Sequence, residues 1–197
     1  MADIVIAPAT EDRFEDAEHA LSGGGDGRSC QCQWWTLPNA QFQATTQEER
    51  AELLRTEMAT PPPPALIAYV DGEAAGWVRV GPRNAQARLA RTREFTIHSL
   101  EPFDDPSVWA VSCFVVRKEH RGTGLNDRLL AAAVEFAREH GARVVEGYPI
   151  DVSAGAKRSN DLFRGILAVF AKAGFREVAR PRPDRAIVAL DLTAATG

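Results

Sequence analysis

No run of the sequence approaches the roughly eighteen consecutive apolar residues that a membrane-spanning helix needs, and the N-terminus lacks the charged-then-apolar order of a secretory leader. A cytoplasmic protein without a membrane partner is therefore expected. There is no G-x-x-x-x-G-K-[S/T], which excludes the Walker phosphate loop, and no G-x-G-x-x-G after a strand, which excludes the dinucleotide fingerprint. Long basic runs are missing too. With 23 Lys and Arg against 27 Asp and Glu the net charge is −4 and the pI about 5.6, so a nucleic-acid partner, which would need a basic face, is not expected. Cysteine is scarce: Cys30, Cys32 and Cys113 are an odd number with no second Cys pair and no HxxxH. Neither a disulfide framework nor a metal site is expected, and the C-x-C reads as two partly buried thiols.

At 197 residues the chain is long enough for one substantial core and too short to require two, so a single domain over residues 1–197 is expected. Its 45% hydrophobic and 25% charged residues suit an ordinary globular protein. The informative features are local. From Val108 to Val116 the residues are apolar or small without alternation, as in a strand covered on both faces. From Leu125 to Ala137 the apolar positions Leu125, Leu129, Leu130, Ala133, Val134 and Ala137 recur at helical spacing, and Gly141 supplies a left-handed stop. Between them lies RKEHRGTG. A helix that starts directly after a glycine loop presents unpaired N–H groups and the positive end of its dipole, and so can hold an anion such as a phosphate. Gly122 and Gly124 permit close backbone approach, while Arg117, Lys118 and Arg121 place positive charge there in a chain of net negative charge. The competing reading is a plain strand-to-helix turn that contains two glycines.

This strand, loop and helix together resemble the GCN5-related N-acetyltransferase superfamily, whose loop R/Q-x-x-G-x-G/A binds the pyrophosphate and pantetheine of acetyl-CoA. Here the loop reads Arg121-Gly122-Thr123-Gly124-Leu125-Asn126, with Asn126 standing where the family has Gly or Ala. A strand from Arg143 to Ile150, a helix from Asp161 to Ala173, and Gly174-Phe175 before a final pair of strands continue the likeness to about Leu192. The resemblance implies an α/β fold of α+β character, the acyl-CoA N-acyltransferase fold, with a mixed central sheet of about six to seven strands and about four flanking helices. It further implies a β-bulge splay between neighbouring parallel strands, here Val108 to Val116 and Arg143 to Ile150. Residues 107–192 would be the acetyl-CoA-binding half, and residues 1–106 would carry the acceptor-site segments. The resemblance assigns Arg121 to Asn126 to the cofactor. It also frees backbone groups of Phe114, Val115 and Val116 to bond the pantetheine arm, one N–H facing the thioester oxygen.

The N-terminal half is less specific. Ile4 to Ala7 is a short apolar run, and Thr10 followed by acidic residues opens a helix through Phe14, Ala17 and Leu21. Ser22-Gly-Gly-Gly-Asp-Gly ends it, either as a slack connection or as an edge of a pocket. Next comes Cys30-Gln-Cys-Gln-Trp-Trp35. In the acetyltransferase layout this segment lies where acceptor pockets are built, so Trp34 and Trp35 are acceptor-wall candidates, with Trp109 beside them; the alternative is that the indoles plug the core. Thr45-Thr46-x-Glu48-Glu49 caps a helix with Ala51, Leu53, Leu54 and Met58 as its apolar stripe, and Pro61 to Pro64 breaks it. Ala65 to Val70, Asp71-Gly72 and Ala74 to Val80 form an antiparallel hairpin. Pro82 to Pro106 is a polar, arginine-rich excursion that also has a place in the acceptor wall.

Strand alternation puts Val144, Glu146 and Tyr148 on one face. A carboxylate in an apolar strand beside the splay is placed to take a proton from an incoming amine, and some family members that act on protein N-termini have a Glu at the matching position. The alternative is a Glu146 that faces solvent or pairs with an arginine. Family members often protonate the departing thiolate with a Tyr four residues before the Gly-Phe pair, where this chain has Phe170. Supplying the free base of an amine of pKa near 10 at pH 7 costs about 4 kcal/mol, whereas expelling a thiolate of pKa near 8.5 costs about 2, so losing the acid matters less than losing the base. Tyr148 is the candidate replacement acid, with Cys113 behind it. Gly165 inside the second helix costs about 1 kcal/mol relative to Ala, which suggests a close approach there.

Two functions follow from the resemblance. One is acetyl transfer from acetyl-CoA to a primary amine by direct attack, with Glu146 as base and either a small molecule or a peptide N-terminus as acceptor. The other is a non-catalytic acyl-CoA-binding module for sensing or assembly, favoured by Phe170 and Asn126. A homodimer stays open beside a monomer.

Overall fold

The computed structural model describes residues 2–155 and 159–193. Seven strands form one mixed sheet: β1 (Ile4–Pro8), β2 (Ala65–Val70), β3 (Glu73–Pro82), β4 (Val108–Val116), β5 (Val144–Gly147), β6 (Arg176–Arg182) and β7 (Arg185–Asp191), in the spatial order β1-β2-β3-β4-β5-β7-β6. Only β4 and β5 run parallel. The β2–β3 hairpin turns on Asp71 and Gly72, at φ 51° and 85°, the two positive values that match a tight turn to the twist of the strands.

Among the described residues eight α-helical segments surround the sheet: α1 (Phe14–Leu21), α2 (Gly27–Cys30), α3 (Asn39–Ala44), α4 (Gln47–Met58), α5 (Ala87–Arg91), α6 (Arg93–Thr96), α7 (Leu125–Glu139) and α8 (Leu167–Lys172). This exceeds the four or so expected because the connections contain short helical pieces of one or two turns, too brief for periodicity to reveal. The cap of α4 is as read from sequence: Thr46 Oγ1 accepts from Glu49 N–H while the Glu49 carboxylate accepts from Thr46 N–H. No helix among the described residues is long and apolar enough to cross a membrane.

The sheet separates two apolar layers. Under α7 lie its own Leu129, Leu130, Ala133 and Ala137 together with Val78, Val111 and Trp109. Burying Leu129 and Leu130 completely contributes about 1.5–3 kcal/mol each. Gly76 of β3 lets α7 sit this close, since a Cβ there would stand 3.2 Å from both Leu125 and Leu129 methyl carbons. The other layer holds α1, Trp35, Leu54, Trp77, Phe95 and Tyr148.

Two expectations are corrected. The helix read from Asp161 to Ala173 is a 3-10 turn (Ser159–Arg164) followed by α8, broken at Gly165. Gly165 has φ 83°, and a Cβ on it would meet the rings of Phe114 and Phe170 at 2.9 Å, so close packing and not helix geometry selects the glycine. The strand read to Ile150 ends at Gly147, and a Cβ on Gly147 would stand 2.3 Å from the Phe170 ring. Phe170 thus wedges between Gly147, Gly165 and Phe114, just where β5 stops.

Candidate active site

Pairing of β4 with β5 runs only from Val108/Val144 to Val111/Gly147. Beyond it the β5-facing edge of β4 has no strand beside it among the described residues. On its other side β4 carries a bulge: Arg79 pairs Cys113 and Val80 pairs Val111, leaving Ser112 as the extra residue. Gln86 absorbs it, accepting from the Ser112 hydroxyl at 2.5 Å and donating to the Ala110 carbonyl at 3.2 Å. Beyond the last β4–β5 pair, Cys113 to Val116 of β4 line a cavity of about 680 Å³ together with Leu162, Phe163, Arg164 and Ile166.

One end of the cavity is the loop before α7. Gly122 and Gly124 have φ 76° and 80°, and Gly124 caps α7 without any side-chain hydrogen bond, so the first N–H groups of the helix stay available. The Thr123 hydroxyl donates to His120 O at 2.7 Å and Arg121 Nε to Val116 O at 3.1 Å, which fastens the loop to the end of β4. Leu125 is buried as the anchor of α7. Arg121, Gly122 and Asn126 line the cavity with Phe114, Val115 and Val116, and Asn126 Oδ1 is buried without a partner among the described residues. Open space beside Gly122, bare N–H groups and a nearby guanidinium are the features a diphosphate requires.

The other end is aromatic. Trp34, Trp35, Phe42 and Phe163 line it. Trp35 touches Phe163 and Phe95 at 6.1 and 6.2 Å between centroids, and its Nε1 is buried with no partner among the described residues. The wall is held from behind by Arg88 of α5. Its Nε donates to Trp34 O and its Nη2 to Leu37 O, its backbone N–H bonds Trp35 O at 2.9 Å, and its guanidinium lies 3.8 Å from the Trp34 ring. Arg164 also lines this end, its guanidinium 5.3 to 5.7 Å from the Trp35, Phe95 and Phe163 rings. Burial and the neighbouring Arg185 charge draw it down to about 10, and the nearest carboxylate on α6, Glu94, is already paired with Arg182 and Arg185.

Three sequence-derived candidates lie elsewhere. Trp109 packs beneath α7 against Phe136 and His140, on the opposite face of the sheet from the cavity; strand alternation puts it there, since Ala110 is its neighbour on the cavity side. Glu146 is 1% exposed and does not reach the cavity. Its carboxylate accepts from Arg83 Nη1 at 2.7 Å, Ser99 Oγ at 2.7 Å and Tyr148 Oη at 2.9 Å, so its lone pairs are committed to the fold. Tyr148 is shut behind Phe95, and burial followed by the Glu146 charge pushes its hydroxyl well above the ordinary value. Neither residue is placed to move a proton for a ligand. Phe170, where the resemblance implied a Tyr, is the buried wedge.

What the sequence reading missed is a thiol cluster. Cys30, Cys32 and Cys113 all line the cavity as free thiols. Trp77 Nε1 donates to Cys32 Sγ at 3.2 Å, and the buried guanidinium of Arg79 reaches Cys32 O at 3.3 Å and Glu57 at 2.7 Å. The usable signal is Arg79, a charge inside the apolar run Trp77-Val78-Arg79-Val80.

A parallel strand pair that diverges, a glycine loop at a helix start and one cavity joining them define an acyl-CoA-type transferase fold. The model of the acetyltransferase (GNAT) family matches residues 32–164, and the chain belongs to that family. Solved structures of the same fold include yncA of Salmonella typhimurium, described as a putative acetyltransferase with its cofactor acetyl-CoA (15% identity, 98% of this chain and 96% of that one, TM-score 0.55). Others are ribosomal-protein-alanine N-acetyltransferase of Brucella melitensis (20%, 95% and 99%, TM-score 0.56) and the PaiA N-acetyltransferase of Thermoplasma acidophilum in complex with coenzyme A (13%, 96% and 99%, TM-score 0.53). No curated protein sequence matches significantly.

Proposed function

We propose that this chain transfers the acetyl group of acetyl-CoA to a primary amine by direct attack, within the cytoplasm. The observation that carries the reading is continuity: Arg121, Gly122 and Asn126 of the glycine loop and the Phe114 to Val116 stretch of β4 line the same cavity that ends at Trp34 and Trp35. Bound acetyl-CoA would supply an activated acetyl carbon. The chain's role is to grip the diphosphate with residues 121–126, to align the pantetheine along Phe114 to Val116, and to enclose the amine between the indoles. Relatives solved with acetyl-CoA or coenzyme A support this assignment of ligand. Glu146 does not serve as the base in this reading; it neutralises Arg83. Arg164 favours an acceptor whose amine is accompanied by a carboxylate or similar anion, because a desolvated guanidinium beside aromatic faces gains most from a charged partner.

Calorimetry with coenzyme A, followed by thiol release from acetyl-CoA with paired amines that differ only by a carboxylate, tests the proposal. Wild type binds coenzyme A, Gly124→Val binds it about tenfold more weakly because φ 80° strains a β-branched residue, and Arg164→Met erases any advantage of the carboxylate-bearing amine. Binding without turnover on any amine would favour the non-catalytic module. Absence of binding to well-folded wild type would overturn both.

A further inference from the structure

The cavity contains no His, Glu or Tyr among its described lining residues, and its one carboxylate, Asp26, is exposed on the glycine-rich loop. Proton transfer to and from a reacting pair therefore falls to other groups. We propose that Cys32 and Cys113 form a dithiol pair sharing one proton that serves both ends of the acyl transfer: the Cys32 sulfur takes the proton of the attacking nitrogen, and the Cys113 thiol gives its proton to the departing coenzyme A sulfur. This rests on the reading that acetyl-CoA and an amine meet in this cavity.

Position is the first argument. Cys113 lies two residues beyond Val111, the last β4 residue paired with β5, so it stands where the strands diverge. Gln31 and Cys32, at φ 48° and 55°, reverse the chain at the end of α2, and Cys32 lines the same cavity as Cys113. Two consecutive non-glycine residues in the left-handed region carry a conformational cost that a purely connecting segment would avoid.

Environment is the second. The Cys32 sulfur accepts from Trp77 Nε1 at 3.2 Å, the Arg79 guanidinium reaches the Cys32 carbonyl at 3.3 Å, and Cys113 stands opposite Arg79 in the β3–β4 register on the same cavity. Burial raises the Cys32 thiol, but the Cys113 hydrogen bond, the Arg79 charge and the Trp77 hydrogen bond outweigh it and draw it to about 7. Hydrogen bonding to Cys32, followed by burial, pushes the Cys113 thiol well up, so Cys113 is the member of the pair that keeps its proton. Cys30, raised to about 11 by burial and then by the Cys32 charge, stays a neutral thiol. The remaining charges facing the pair are Glu57, which pairs with Arg79, and Arg50, which acts on Cys30.

The step balances without any further reactant. As the C–N bond forms, the N–H bond breaks and its proton moves to Cys32; as the C–S bond breaks, the coenzyme A sulfur takes the Cys113 proton. Cys32 is then a thiol and Cys113 a thiolate, and one proton shift across their hydrogen bond restores the starting state. A base poised near the working pH suits this task.

Alkylation by iodoacetamide across pH, with the modified residue located by mass spectrometry, reads the pair without any acceptor. Cys32 reacts with a midpoint near pH 7, coenzyme A protects it, and Cys113→Ala moves the midpoint up toward the ordinary thiol value of about 8.5. In turnover, Cys32→Ala and Cys113→Ala each lose roughly a hundredfold in kcat while retaining coenzyme A affinity by calorimetry, and Cys113→Ser recovers some of the loss. Ordinary titration of Cys32 in wild type that binds coenzyme A overturns the dithiol pair alone. A Cys32→Ala enzyme as fast as wild type, or an acetyl group found on Cys32 after mixing with acetyl-CoA, overturns it equally. Failure of wild type to bind coenzyme A sinks the acetyltransferase reading itself.

Discussion

Among the described residues two arginines on neighbouring elements are buried, and they are satisfied in opposite ways. Arg83, 0% exposed, donates to Glu146, Ser99 and the carbonyls of Glu101 and Pro102, and stacks 4.0 Å from Phe103, with Glu146 closed in beside it. Arg79, 3% exposed, has a carboxylate partner that is 28% exposed, and its inner side donates to the carbonyl of Cys32, a residue that lines the cavity. The first arrangement neutralises itself and pins the excursion from Pro82 to Pro106 onto β5. The second leaves a positive field on the cavity side. A buried charge therefore identifies a site only when its partners fail to use up its field, and depth alone ranks the two arginines the wrong way round.

Removing one member of the closed pair has the largest expected effect. Glu146→Ala leaves Arg83 uncompensated and costs about 3–5 kcal/mol in denaturant unfolding, whereas the double variant Arg83→Met/Glu146→Leu is expected near neutral. If the single variant unfolds at the wild-type midpoint, the pair is not structural. Arg79→Met is expected to cost less, about 1.5–3 kcal/mol for the lost charged hydrogen bonds, and to raise the alkylation midpoint of Cys32 because the thiolate loses its counter-charge. The smallest effect is that of Glu57→Gln. Its carboxylate is partly solvated, so stability falls by about 1 kcal/mol or less, and the Cys32 midpoint moves down, since the Arg79 charge is no longer shared. Opposite shifts from Arg79→Met and Glu57→Gln establish the contrast; shifts of the same sign break it.

The local patterns are legible from sequence wherever one element carries them. The Asp71-Gly72 turn, the Thr46/Glu49 cap and the stripe of α7 each follow from neighbours within a few residues. Glu146 shows where such reading stops. A glutamate in an apolar strand stands out as unusual, but its partner Arg83 lies 63 positions away in a stretch without periodicity. Chemistry alone cannot tell a base from a counter-ion. That Cys32 and Cys113 share one cavity is hidden for a related reason: they lie 81 positions apart, and no local pattern links them. Gly165 is legible as an anomaly, and the ring it accommodates is not.

The hold of Arg88 on the Trp34–Leu37 segment has a wider meaning. The indoles that would meet an acceptor sit in a stretch with little regular structure, clasped by a guanidinium 54 positions downstream that does not itself line the cavity. Selectivity is thereby partly outsourced: a change at Arg88 retunes the shape of the aromatic wall while every surface presented to the guest keeps its chemical identity.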